Sequence, residues 1–500
     1  MRPPPGMNRT SAKSKSAWRS HTTQHADAPH EKAAHPINDE EMNSMAQTGQ
    51  RRRRNRVTLL AGVSVMSILA LSACSGSNEA PAVDGGGLGT ADKHVQITMM
   101  SNDAFAQQWQ EQLVPEFNKK YPYIDVTIDS IPYTELLAKG MLNGTDPDPE
   151  YDLITLDDPW TPQLAEAGVL YELKGDAEQW TDAAYDWDDF NSAPLASSEW
   201  DGGQYGVPLR SNMLLMFYNK DLYAKAGLDA PTPEITWDQY MDEAPQLVQD
   251  TDGDGKVDSW AVGLTWMRGV LSPPVWQAAL NANGGALFDD DLTPTFDTED
   301  GEAALQMQVD LLQYAPPGAG TYNYTEPLDA FRQGKIATIF TWGSAYKSAA
   351  VDPAVTTLTP DQVGIQTMPA GDDGASTHRG IWSGSVFKNS KNPEAAWTFL
   401  QWMSSKEGEV WTTNTLGSFP ARKSTLTSTP TQDWLVPVLG TLQDAYDVAA
   451  AGEMWRPRTP ESNAIQEILA DQTSAAVQGQ LTAAEALDKA AEQVDKLLKK

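Results

Sequence analysis

Five tryptophans stand where apolar, strand-like runs end or turn. They are Trp160 in "LDDPW", Trp266 in "GLTWMRG", Trp342 in "IFTWGSAY", Trp382 in "GIWSGS" and Trp455 in "EMWRPRTP". Planar hydrogen-bonding groups gather near the same run ends: Asn102 and Asp103, Asp157 and Asp158, Arg210 and Asn212, with Arg268 and Arg379 beside two of the tryptophans. A flat ring stacks on the apolar face of a sugar. Carboxylates, amides and guanidinium groups bond its hydroxyls. Such a set captures a polyhydroxylated ligand without reacting with it. Taken singly, each tryptophan reads equally as a half-buried packing residue. Each exposed arginine reads equally as a solvated charge, although Arg268 and Arg379 could bridge hydroxyls or meet an acidic sugar. Trp109, Trp237, Trp397 and Trp402 fall in helical patterns, and packing is the reading for them.

A second constellation is "QDTDGDGKVDSW". Asp250, Asp252 and Asp254 alternate, Gly255 supplies a sharp turn, and Asp258 follows. With the Lys256 carbonyl they match positions 1, 3, 5, 7 and 9 of a calcium loop. Position 12 is Ala261, so the bidentate carboxylate would have to come from elsewhere. The expectation is a structural Ca2+, and otherwise an acidic, Gly-rich turn. No other cofactor is required.

Reactive groups are scarce. The chain has one cysteine, Cys74, and only His94 and His378 beyond residue 73. A His-based zinc site or a Ser-His-Asp triad is poorly supplied. A secreted glycosidase is the rival from another class, and needs two carboxyls facing each other across a bond. Asp157 and Asp158, adjacent in sequence, make a poor pair for that. No internal repeat supports a surface adhesin.

Cys74 lies in "SILALSACSGSN". Arg51 to Arg54 precede the uncharged run from Val57 to Leu71, and small residues lead to the cysteine. This is the layout of a secretory signal. Leu71-Ser72-Ala73-Cys74 resembles the lipobox of bacterial lipoproteins, in which the cysteine is lipidated and the chain is cut before it. Residues 1–73 are then an N-terminal extension and signal peptide. The extension is disordered, or else Met42 or Met45 is the true start. Residues 74–93, rich in Gly, Ser, Ala and Pro, read as a flexible tether. The whole chain has 36 Lys+Arg against 68 Asp+Glu, a net charge of −32. Removal of residues 1–73 takes away 11 of the former and 5 of the latter, leaving about −38. No basic footprint for nucleic acid remains.

Beyond residue 94 strands alternate with helices. "VQITMMS", "IDVTIDSI" and "YDLITL" read as strands, and Phe105, Trp109, Leu113 and Phe117 mark a helical face between the first two. Pro208 marks a break before the apolar run Met213 to Tyr218, the pattern of a long strand crossing between domains. Thr482 and Glu485 form a capping box before the last amphipathic helix. The class is α/β with two domains.

Four stretches carry a closer likeness: "YGVPLRSNMLLMFYNKDLYAKAGL", "AFRQGKIATIFTWGSAY", "SKNPEAAWTFLQWMSSKEG" and "AAEALDKAAEQVDKLL". They resemble, in order, the family-1 extracellular solute-binding proteins of ABC importers, the sugar binders that include maltose-binding protein. The resemblance covers about 94–500. It implies a two-lobed periplasmic-binding-protein-like fold of type II, with hinges and a cleft between the lobes. Lobe 1 would be 94–208 plus 383–421, and lobe 2 213–378 plus 426–500. It also implies stacking aromatics at Trp342 and Trp455, with Trp266 near a third such position. Asn212 matches a family carboxylate. The family aromatic at the end of the third strand is Leu156 here, with Trp160 four residues on. The implied function is a monomeric, lipid-anchored receptor on the outer face of the cell membrane. It would hand an oligosaccharide to the transmembrane subunits of a permease and catalyse nothing. Uronic-acid oligosaccharides and polyols are the alternative ligands.

Overall fold

The computed structural model describes residues 87–499 apart from 252, 429 and 452–455. The signal segment with Cys74, most of the tether, Asp252 and Trp455 lie outside the described residues.

Eight strands among the described residues build the main sheet. They are β1 Val95–Asn102, β2 Ile124–Ile131, β3 Leu153–Asp157, β4 Val207–Asn219, β5 Trp260–Gly263, β6 Ile336–Trp342, β7 Val363–Gln366 and β8 Arg379–Val386. The order is β2-β1-β3-β8-β4-β6-β5, with β7 also paired to β4. The first three strands are parallel, as alternation with helices demands. β8 runs antiparallel between β3 and β4.

β4 is the element on which both halves hang. Its residues from Val207 to Met213 pair with β8, and from Leu214 onward they pair with β6 and β7. At about 3.3 Å per residue, its 13 residues span about 43 Å. The expected break at Pro208 is not there. Pro208 sits inside the strand, beside a register shift between Trp382 and Ser383 of β8. A proline has no N–H for the ladder, and a bulge is where a strand tolerates it.

Two apolar cores flank the long strand. One packs β1, β2 and β3 against the helix Pro393–Met403 and the Phe105–Phe117 face, and buries Trp109, Trp397 and Trp402. Trp397 lies stacked on Trp187 at 6.0 Å, with its indole N–H on Thr181. Removing so buried a ring costs about 3–5 kcal/mol. The other packs the distal half of β4 and β6 against the helix Leu435–Ala451, and takes in Ala193 and Phe419. Trp237 is also buried, on Tyr240 and Phe340. The four helical tryptophans are thus packing residues.

The last helix, Ala483–Leu498, opens with the full capping box: Thr482 accepts from the Glu485 N–H, and Glu485 accepts from the Thr482 N–H. Among the described residues no helix is long and apolar enough to cross a membrane.

Candidate functional site: one face of a shared strand

Strand register assembles the site. Trp382 of β8 is paired with Asp157 of β3 on one side and Arg210 of β4 on the other. Gly380 pairs with Asn212, and Trp342 of β6 pairs with Leu214. Side chains two apart on a strand share a face. Asp157, Trp382, Arg210, Asn212 and Trp342 therefore emerge on the same side of the sheet. Trp382 and Trp342 are paired to positions four residues apart on β4, and the Trp342 ring reaches back over Gly380, two residues from Trp382.

Both rings are half-buried, whereas Ser211 and Met213 between them turn into the core. Trp382 is held edge-on by Phe105 at 5.3 Å, Trp160 at 5.8 Å and Tyr133 at 6.0 Å. Trp342 lies against the Gly380 backbone, where any Cβ would collide with its six-membered ring. Its edge meets His378 at 6.0 Å. Asn212 clasps the turn that follows Trp342: its amide donates to Ser344 Oγ at 2.9 Å and accepts from Ser344 N at 3.0 Å. Leu214, Tyr324 and Trp342 border a cavity of about 20 Å³, room for roughly one water.

The acidic pair is already engaged. Arg456 donates to Asp157 Oδ2 at 2.7 Å and also to Asp157 Oδ1 and Asp158 Oδ1. The Tyr133 hydroxyl donates to Asp157 Oδ2 at 2.9 Å. Burial, reinforced by the Asp157 charge, pushes that phenol well above its ordinary value. Arg458 donates to the carbonyls of Ser197 at 2.7 Å and Asp158 at 3.3 Å. Burial pulls it down to about 10. Asp158 keeps one carboxylate oxygen, Oδ2, buried and unbonded among the described residues.

Arg210 is different. Its guanidinium stacks on the Phe105 ring, 4.8 Å from the centroid, and no ion pair is formed to it among the described residues. Burial lowers its value, against an opposing effect of Tyr324.

Other expected site residues lie elsewhere. Trp266 is fully buried and its indole N–H bonds the Gln308 carbonyl, so it offers no ring face to a ligand. Trp160 is 1% exposed and backs Trp382. Asn102 is buried and turns the chain after β1 by accepting from Ala104 N at 2.9 Å, while Asp103 is exposed. Arg268 is exposed and paired with Asp471. Arg379 is buried at the start of β8. Trp455 falls outside the described residues, immediately before Arg456.

The structure gives the expected calcium no support. Asp250 turns its carboxylate onto the amides of Gly253, Asp254 and Gly255, at 2.6, 3.2 and 2.7 Å. Asp258 accepts from Thr251 N and Oγ1, and Asp254 pairs with Lys256 Nζ. The described carboxylates of the set thus each meet a donor of the loop itself. No group of three acidic or His/Cys side chains fit to hold a metal is found among the described residues.

Phe105, Tyr133, Tyr324, Arg456 and Arg458 adjoin this candidate site and were missed in the sequence reading. Only the doubled arginines beside Trp455 gave a signal.

Removing Arg456 as Arg456→Ala leaves two carboxylates buried without their cation. The expected loss is about 3–5 kcal/mol in urea unfolding; a loss under 1 kcal/mol contradicts the buried ion cluster. His378 gives a pH test. Burial, with the nearby Arg379 charge, lowers it to about 3, so the folded chain refuses a proton that the unfolded chain binds near its ordinary 6.5. Stability from this group is full above 6.5 and falls as pH drops from 6.5 towards 3. His378→Gln should flatten the stability–pH slope in that window by up to about 1.4 kcal/mol per pH unit. An unchanged slope contradicts a buried neutral imidazole.

Comparison with known proteins identifies the family and the fold. Residues 102–410 match the model of the family described as "Bacterial extracellular solute-binding protein". An ABC-transporter solute-binding protein of Agrobacterium radiobacter K84, in complex with ribitol, is 28% identical with a TM-score of 0.70, over 81% of this chain and 99% of that one. Maltose-bound MalE3 of T. maritima shares the fold at 23% identity and TM-score 0.70, over 81% and 100%. The erythritol/L-threitol-binding protein of Mycolicibacterium smegmatis is 24% identical over 399 residues, 73% of this chain and 80% of its own. The fold is the two-lobed type II binding-protein fold, and the chain belongs to the bacterial extracellular solute-binding proteins, the substrate-binding components of ABC importers.

Proposed function

We propose that this chain captures an oligosaccharide outside the cell, closes over it and delivers it to the transmembrane subunits of its importer, without catalysis. The observation that carries this reading is the pair of half-buried indoles, Trp342 and Trp382, on one face of β4 with Arg210 and Asn212 between them. Two stacking rings on one face of the sheet suit a ligand of several sugar rings better than a single small polyol. Trp455, which the family resemblance gives as a stacking aromatic, belongs to the same proposal.

The division into lobes is 94–208 plus 383–421, and 213–378 plus 426–500. The change of β4 partners between Met213 and Leu214 supports it. On this division Arg456 and Arg458 reach from lobe 2 onto lobe 1, so their bonds hold the closed form. Residues 1–73 are removed as a signal, Cys74 carries the lipid, 74–93 are the tether, and the monomer works at the outer face of the membrane. Two or more acyl chains give stable anchoring.

In titrations of the full chain with neutral and acidic oligosaccharides, Trp342→Ala and Trp382→Ala should each weaken binding at least about tenfold, with the circular dichroism spectrum preserved. Undiminished affinity in both would place the pocket elsewhere. Cys74→Ser should move the protein from the membrane fraction to the soluble fraction of expressing cells; continued membrane association argues against the lipid anchor.

A further inference from the structure

Arg210 points to the kind of ligand. It sits on β4, on the face shared by Trp382 and Trp342, and its guanidinium lies over the Phe105 ring. Each neighbouring group that could have balanced it is committed elsewhere. Asp157 and Asp158 are shared by Arg456, and Asp157 also takes the Tyr133 hydroxyl. Asn212 is turned to Ser344. The facing group from β6 and its helix is the Tyr324 phenol, which burial holds protonated. The guanidinium is nonetheless half-buried and loses hydration.

A desolvated cation without a counter-charge is costly. Here the cost persists within a chain whose net charge is −32, so carboxylates are abundant and one is not placed there. A guanidinium remains charged under all ordinary conditions and presents a planar fork that matches a carboxylate with two parallel bonds. Stacking on Phe105 fixes the plane of the fork and leaves its edge for that contact.

We propose that the ligand carries a carboxylate, as a uronic-acid residue of an oligosaccharide does, and that Arg210 receives it while Trp382 stacks on the adjoining ring. This rests on the sugar-capture reading above. One unmatched cation balances one carboxylate, which favours a sugar acid over the doubly charged phosphate of a sugar phosphate.

The test is isothermal titration of the full chain with three probes. These are di- and trisaccharides containing glucuronate or galacturonate, their neutral glucosyl and galactosyl counterparts, and hexose phosphates. The expected result is that a uronate-containing probe binds at least about 30-fold tighter than its neutral counterpart, and more weakly as salt rises. Arg210→Gln should abolish that preference and Arg210→Lys should keep part of it. Without ligand, Arg210→Gln should melt no lower than the wild type, because it removes an unmatched charge; a marked loss of melting temperature makes Arg210 a structural residue and overturns the proposal. If a neutral probe binds as tightly as its acid, or Arg210→Gln weakens both equally, Arg210 bonds hydroxyls; the carboxylate is then overturned and sugar capture stands. Tighter binding of hexose phosphates than of uronates overturns the carboxylate in favour of phosphate. If all three probes fail to bind, both readings fall together.

Discussion

The alternation of side chains along β4 is the constraint on which the site depends. A strand sends successive residues to opposite faces. From Arg210 to Leu214 that rule sorts the sequence into two sets. Arg210 and Asn212 are left at the site, whereas Ser211 and Met213 go into the core. β8 and β6 add their tryptophans in register with the first set. The glycine at 380 matters for the same reason. It stands opposite Asn212, and its missing side chain is the space that Trp342 occupies. Position along the sheet follows from pairing, and the rings of Phe105, Trp160 and Tyr133 set how Trp382 is held.

Charge is partitioned just as sharply. The chain is strongly acidic, yet the groups gathered around the site include guanidiniums from two separate segments, at Arg210 and Arg456. Arg456 resolves the repulsion between two adjacent buried carboxylates, and it does so from residues almost 300 positions away in sequence. A buried ion cluster of this kind contributes little net stability compared with an apolar substitute, but breaking it is expensive. It ties residues 456–458 to the end of β3, alongside the Arg458 bonds to the Asp158 and Ser197 carbonyls.

Much of this was legible from residue types and spacing. The three parallel strands, the helical tryptophans as packing residues, the capping box and the long crossing strand all follow from local periodicity and capping chemistry. Local signals failed where the answer was tertiary. Pro208 reads as a break because proline lacks a donor, and nothing local announces the bulge that accommodates it. Trp266 and Trp160 read as candidates for stacking, but burial depends on neighbours brought from residues such as Gln308 and Trp382. Asp157 and Asp158 read as free acceptors, since their partner at Arg456 is distant in sequence. The acidic loop had the spacing of a calcium site, whereas the bonds the structure shows there run from donors of the loop to Asp250 and Asp258.

The bulge beside Pro208 has a meaning for how such a site changes over generations. It takes up one extra residue near Leu209 and so sets the phase of everything that follows on β4. Substitutions at Arg210 or Asn212 change what is recognised while leaving the sheet intact. The loss or gain of a single residue between the bulge and Leu214 would exchange the two sets, presenting Ser211 and Met213 to the ligand and forcing Arg210 into the core. The strand is therefore permissive towards spelling and intolerant of changes in length. New ligand preferences in this lineage would arise by exchange of letters along a fixed frame.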